Sequence, residues 1–189
     1  MLQIHMDKES VANVRQVLES LGQDFDKAMK VAISKTVKKV KIQSARKLRT
    51  VIAAPVKVLK RAVTRGKVKK REGTVSVTVY LQSGHPIPLK YLKPRASKKH
   101  GVIVQEFVGT RRRLPDGFMR DKWGKSVYRR VGKARTPLKV QSGVAPGQVT
   151  QSHGIDRVAI DTANEELPKQ IKERVRFLTL KAQGKLRNN

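Results

Sequence analysis

The 189-residue chain contains no cysteine, so disulfide frameworks and thiolate metal sites are both excluded. Aromatic residues make up only 4% of it, too few to build the stacking platforms on which single-stranded nucleic acids lie. Carboxylates are scarce as well: 14 Asp and Glu stand against 43 Lys and Arg, a formal net charge of +29. No apolar run approaches the roughly 20 residues of a membrane span, and residues 1–7 lack the charged and apolar regions of a signal peptide. The expectation is a protein made and folded in the cytoplasm, with no membrane partner and no cofactor.

What is present is enough for a core. Leu, Ile, Val and Phe supply 51 residues, above the level at which a highly charged chain stays disordered, and the 24 valines lean part of the chain toward strands. The excess of positive charge makes a polyanionic or acidic partner the first functional hypothesis.

Helical spacing dominates the N-terminal part. Val11, Val14, Leu18 and Leu21 mark a short helix over 7–21, in a stretch whose 26 residues hold five carboxylates and only two basic side chains. After Asp24, a good N-cap, comes a helix of some 28 residues. Phe25, Met29, Ile33, Val37, Val40, Leu48 and Ile52 lie on one side of it and Lys30, Lys35, Lys38, Lys41, Arg46 and Arg49 on the other. Pro55 ends it and opens a shorter helix that Gly66 stops, leaving Lys67–Arg71 as a basic connector.

The period then changes. Val75, Val77, Val79 and Leu81 alternate with polar residues, a clear strand. Residues 87–92, broken by Pro88, make an edge strand at best. Strands are expected over 101–108, 126–131 and 137–140, with a turn at Pro115-Asp116-Gly117 and mobile loops over 93–101, 109–117 and 142–154. Ile160, Ala163, Leu167, Ile171, Val175 and Leu178 return to a helical period, with a break or fresh start expected at Pro168. The fold expected is α+β: N-terminal helices over 7–65, a central antiparallel sheet with long basic loops over 74–141, and a C-terminal helix over 155–183, in a single domain of 1–189.

The charge is segregated. From Lys27 to Gln105 there are 22 Lys and Arg and one carboxylate, Glu72, whereas 151–189 hold eight basic and five acidic residues. Besides the long helix, two sets of side chains are candidates for contact with nucleic acid or an acidic partner: Lys67, Lys69, Lys70 and Arg71, and the loop residues Lys98, Lys99, Arg111, Arg112 and Arg113. Consecutive Arg and Lys on loops reach phosphates without reading sequence.

Catalytic patterns are missing. His5, His85, His100 and His153 stand singly, without the spacing that puts two imidazoles on one helix face. Gly124-Lys125-Ser126 mimics the end of a phosphate-binding loop, but Met119 occupies the place of its first glycine. No carboxylate cluster suggests a nuclease metal site, so neither a catalytic nor a metal residue is assigned. Trp123 reads as a local apolar plug, or, more pointedly, as an anchor for a protein interface.

Gly117-Phe118-Met119-Arg120, followed by the stretch from Val127 to Leu138, resembles the minor tail protein Z family of long-tailed bacteriophages and prophages, the tail completion proteins. The best-matched positions are Arg129, Arg130, Gly132, Lys133, Arg135 and Pro137, and the resemblance runs over roughly 25–182. It implies a non-enzymatic virion protein that completes the head-proximal end of the tail and enables head–tail joining at the neck, near the DNA channel. The implied partners are tail-terminator, tail-tube and head-connector proteins, with genomic DNA touched through its backbone. By analogy with tail tubes, a six-fold homo-oligomeric ring is expected. The alternative, from composition alone, is a sequence-independent nucleic-acid-binding protein gripping the phosphate backbone.

Overall fold

A computed structural model describes residues 2–4, 8–20, 22, 24–71, 74–81, 85–120, 124 and 126–184. The fold is α+β. Its elements, in order, are β1 (Leu2–Ile4), α1 (Lys8–Ser20), α2 (Phe25–Val51), α3 (Val56–Ala62), β2 (Val63–Arg71), β3 (Thr74–Leu81), β4 (Arg95–Ser97), β5 (Gly101–Val104), β6 (Arg112–Leu114), β7 (Gly117–Met119), β8 (Val127–Arg130), β9 (Leu138–Val140) and α4 (Ile155–Ala182). The strands form three antiparallel three-stranded sheets, ordered β1-β3-β2, β4-β5-β6 and β7-β8-β9.

The chain is organised as two compact units. The first comprises Met1–Gln43, Thr64–Tyr80 and Asp156–Asn189, and the second Ser44–Val63 and Leu81–Ile155. In the first, α2 buries Phe25, Ala28, Met29, Ala32, Ile33, Val37 and Val40, the stripe expected from its spacing, while Lys30, Lys35 and Lys38 are exposed. Asp24 caps this helix, its Oδ1 accepting the Lys27 N–H at 3.1 Å. In α4 the buried stripe is Ala159, Ala163, Leu167, Gln170, Ile171 and Leu178; Ile160, expected on it, is 41% exposed.

Pro168 does not break α4, which runs unbroken from Ile155 to Ala182. The proline lies on the exposed side, as does Asn164, whose carbonyl loses its usual amide partner to the proline ring. Buried side chains on both flanking turns hold the helical path through that loss.

The second unit has its own core, in which Ala45 and Leu48 from the end of α2, Ile52 just beyond it, and Leu59 from α3, meet Leu89, Leu92, Val102, Val104, Val127 and Val149. Pro55 sits just before α3 and its carbonyl accepts the N–H groups of Val58 and Leu59. Antiparallel tethers continue past the helix end: Ala53 N–H donates to the Glu106 carbonyl at 3.0 Å and Val108 N–H to that of Val51 at 2.8 Å. The strand expected over 101–108 therefore ends at Val104, because the chain beyond it turns to pair with the end of α2.

Three further segments differ from expectation. Residues 63–71, expected as the end of a helix and a connector, form β2 beside β3, which gives the valine-rich β3 a partner on each side. Residues 89–91 form a 3-10 turn instead of an edge strand, since Pro88 lacks a ladder donor and the turn buries both Leu89 and Leu92. The 142–154 segment, expected to be mobile, buries Val144, Ala145, Pro146, Val149 and Thr150. Its apolar residues outweigh the loop character of the Gly, Gln and Ser between them.

Candidate polyanion-binding surface

The two arginine- and lysine-rich loops of the second unit are in part strand. Arg95–Ser97 and Arg112–Leu114 are the outer strands β4 and β6, and both pair with β5, whose backbone groups need partners on each side. Lys98, Lys99 and His100 form the turn from β4 to β5, where the His100 N–H donates to Ser97 Oγ at 3.3 Å. Gly101 follows at a bulge with φ +69°, and a Cβ there would run into the backbone carbonyls of Leu114 and Pro115. Only glycine fits this tight start of β5.

Register decides which basic side chains share a face. Arg95 pairs with Ile103 and Ile103 with Arg113, so these three form one cross-strand row. Val102 and Val104 point the other way, into the core. Arg112 pairs with Val104 on that inner side, and its Nη1 donates to Glu106 Oε1 at 3.0 Å. The Glu106 side chain is only 12% exposed, whereas that of Arg112 is 60% exposed, so the carboxylate is packed and its cation reaches it from the surface. The arginine triplet is thus divided: all three residues are exposed, but Arg112 is paired with Glu106, whereas Arg111 and Arg113 have no carboxylate partner among the described residues.

A second basic group lies on β7-β8-β9. Arg129 stands between Gly117 and Lys139 in one row, and its guanidinium is bound to Asp116 Oδ2 at 3.1 Å, which offsets the like charge of Lys139 next to it. On the other side of the sheet Phe118 and Tyr128 are neighbours, ring centroids 6.1 Å apart, and the Arg130 guanidinium covers Phe118 at 5.9 Å. An open cleft of about 710 Å³ is lined by Asp116, Phe118, Arg129, Arg130, Gly132 and Lys133, among others. The exposed loop 131–137 carries Lys133 and Arg135, and is closed by the Val131 N–H donating to the Pro137 carbonyl at 3.1 Å.

The sequence-derived candidates therefore separate. Lys67, Lys69, Lys70 and Arg71 belong to β2, in the first unit. Lys98, Lys99, Arg111, Arg112 and Arg113, and all six positions matched to the tail-protein family, belong to the second. Trp123, Lys125 and His5 lie outside the described residues. Arg95 and Phe118 were missed as site residues. Arg95 is a lone arginine until β5 places it beside Arg113, and only the β7-β8 register brings Phe118 under Arg130.

Among the described residues, no group of three or more His, Asp or Glu could hold a metal ion, and no helix is long and apolar enough to cross a membrane. No protein-family model matches the chain, and neither does any curated protein or solved structure.

Proposed function

We propose that the chain is a non-enzymatic virion structural protein that completes the head-proximal end of a phage tail and enables head–tail joining at the neck. Four of the six positions that carry the resemblance, Arg129, Arg130, Gly132 and Lys133, line one cleft beside Phe118, and this clustering is the observation that carries the reading. An aromatic ring beneath the Arg130 guanidinium, next to an exposed basic loop, suits docking onto acidic neck proteins, with Phe118 and Tyr128 supplying apolar contact and the basic groups orientation. On this reading the protein assembles in the host cytoplasm as a ring and ends in the virion neck, where its surplus positive charge adjoins genomic DNA. Cryo-electron microscopy of the virion tests it: density for this chain at the head–tail junction is the expected result, and density confined to the baseplate, or absent, overturns it.

A second reading, a sequence-independent nucleic-acid-binding protein outside any virion, is favoured by one observation, the exposed arginines of β4 and β6 that have no carboxylate partner among the described residues. It predicts retention of the protein on cellular nucleic acid with no phage particle present.

A further inference from the structure

We infer that the outer face of the β4-β5-β6 sheet, with Arg95 and Arg113 on its two edges and Lys98-Lys99 at its end, binds the phosphodiester backbone of nucleic acid, and that Arg112 does not take part. The inference deepens the DNA contact in the tail reading, yet it rests on charge geometry and not on the tail assignment.

The first step is the supply of counter-charge. The second unit holds 22 Lys and Arg and three carboxylates. Its two described carboxylates are both occupied, Glu106 by Arg112 at 3.0 Å and Asp116 by Arg129 at 3.1 Å. Arg95, Lys98, Lys99, Arg111 and Arg113 are exposed and have no carboxylate partner among the described residues.

The second step is arrangement. Arg95 and Arg113 flank Ile103 in one row, which puts their Cα atoms two inter-strand spacings, about 10 Å, apart. Both strands run the same way, each being antiparallel to β5, so each edge presents one arginine, with a neutral strand between them. Guanidinium forks match phosphate oxygens in two-bond geometry, and flexible lysines in the adjoining turn add charge without demanding a fixed register.

The third step separates nucleic acid from an acidic protein. Protein interfaces are depleted of charge at their centre and enriched there in aromatic and other apolar side chains. This face offers only the half-buried Ile103 between its arginines. The β7-β8-β9 face, with Phe118, Tyr128 and the exposed Val140, has what this one lacks.

The test is fluorescence anisotropy of the full-length protein with a labelled mixed-sequence DNA duplex between about 50 and 200 mM salt, the range over which backbone contacts reveal themselves as a linear loss of log affinity. Arms with single-stranded RNA and with polyglutamate separate the polyanions. The wild type is expected to bind duplex with a steep negative slope. Arg95→Gln with Arg113→Gln is expected to flatten that slope by about 1.8, at roughly 0.9 per lost phosphate contact, and Lys98→Gln with Lys99→Gln to flatten it similarly. Arg112→Gln leaves it unchanged. Arg157→Gln with Lys169→Gln, exposed positions on α4, removes the same net charge as a control and leaves it unchanged too. Thermal melts confirm that each variant is folded, and the turn pair stands in if the strand pair is not. The inference is overturned by salt-independent binding, by a control pair that flattens the slope as much as the face variants, or by polyglutamate binding more tightly than either nucleic acid. None of these outcomes touches the tail reading, which is decided in the particle.

Discussion

The two units of this chain solve the same electrostatic problem differently. The first carries 21 Lys and Arg with 11 carboxylates, and places much of that acid on α1 and α4, within the unit that holds the N-terminal part of α2 and its six lysines. The second carries 22 with three, and its described carboxylates each serve one arginine. Self-repulsion in such a unit opposes compaction. What holds it is a continuous apolar core from α2, α3 and the short strands. The comparison teaches that positive charge left without internal partners sits where packing is independent of it, and is available for an external anion.

The comparison breaks most easily in the core. Leu92 is fully buried in the second unit, so Leu92→Ala is expected to cost about 2–5 kcal/mol. Leu167→Ala, in a stripe of the first unit that also buries Gln170, is expected nearer the low end, about 2 kcal/mol. Urea unfolding measures both. Equal costs would mean that the second unit does not depend on packing more than the first.

Removing a counter-charge comes next. Arg112→Gln leaves the nearly buried Glu106 without its cation and is expected to destabilise by about 1 kcal/mol, as a drop in the urea midpoint. Arg113→Gln, at an unpartnered exposed position in the same strand, is expected to stay within about 0.5 kcal/mol of the wild type. If the two variants melt alike, the division of the arginine triplet has no energetic content.

Ser44 offers a smaller effect of opposite sign. Its hydroxyl is buried in the second unit's stretch of α2 with no hydrogen-bond partner among the described residues. Ser44→Ala removes that unsatisfied group at almost constant shape and is expected to stabilise by about 0.5–1 kcal/mol, read as a higher melting temperature.

How far the sequence alone reached follows from the range of each signal. The buried face of α2 was legible because 27 residues repeat one helical period, and β3 because Val75, Val77 and Val79 alternate cleanly. Strands of three residues carry almost no period, so β4, β6 and β7 read as loops and a turn, while β9 is expected within 137–140. Pro168 carried a strong local signal that lost to the burial on both sides of it. The basic clusters were visible as composition, but membership of a face was not. Arg112 and Arg113 are adjacent in sequence and both exposed, yet the pleat turns them to opposite sides of the sheet, and Arg112 is the one that pairs with Glu106. That information resides in the register with β5.

The mildest effect concerns the charge the first unit does balance. The Lys27 backbone N–H bonded to Asp24 holds that carboxyl below its ordinary value of 3.8, and the Lys27 ammonium at 3.3 Å acts in the same direction. A carboxyl whose pKa is lowered by folding stabilises the native state while ionised. Its contribution is complete above the unfolded value, declines as pH falls below 3.8, and is gone once the folded carboxyl is protonated. Asp24→Asn keeps an N-capping oxygen but cannot titrate. The wild type is therefore expected to melt slightly higher than the variant near neutral pH, with the gap closing as pH drops below 3.8. A gap that persists in acid would show that Asp24 acts by cap geometry alone, and would leave the first unit's acidic residues without a measured part in balancing α2.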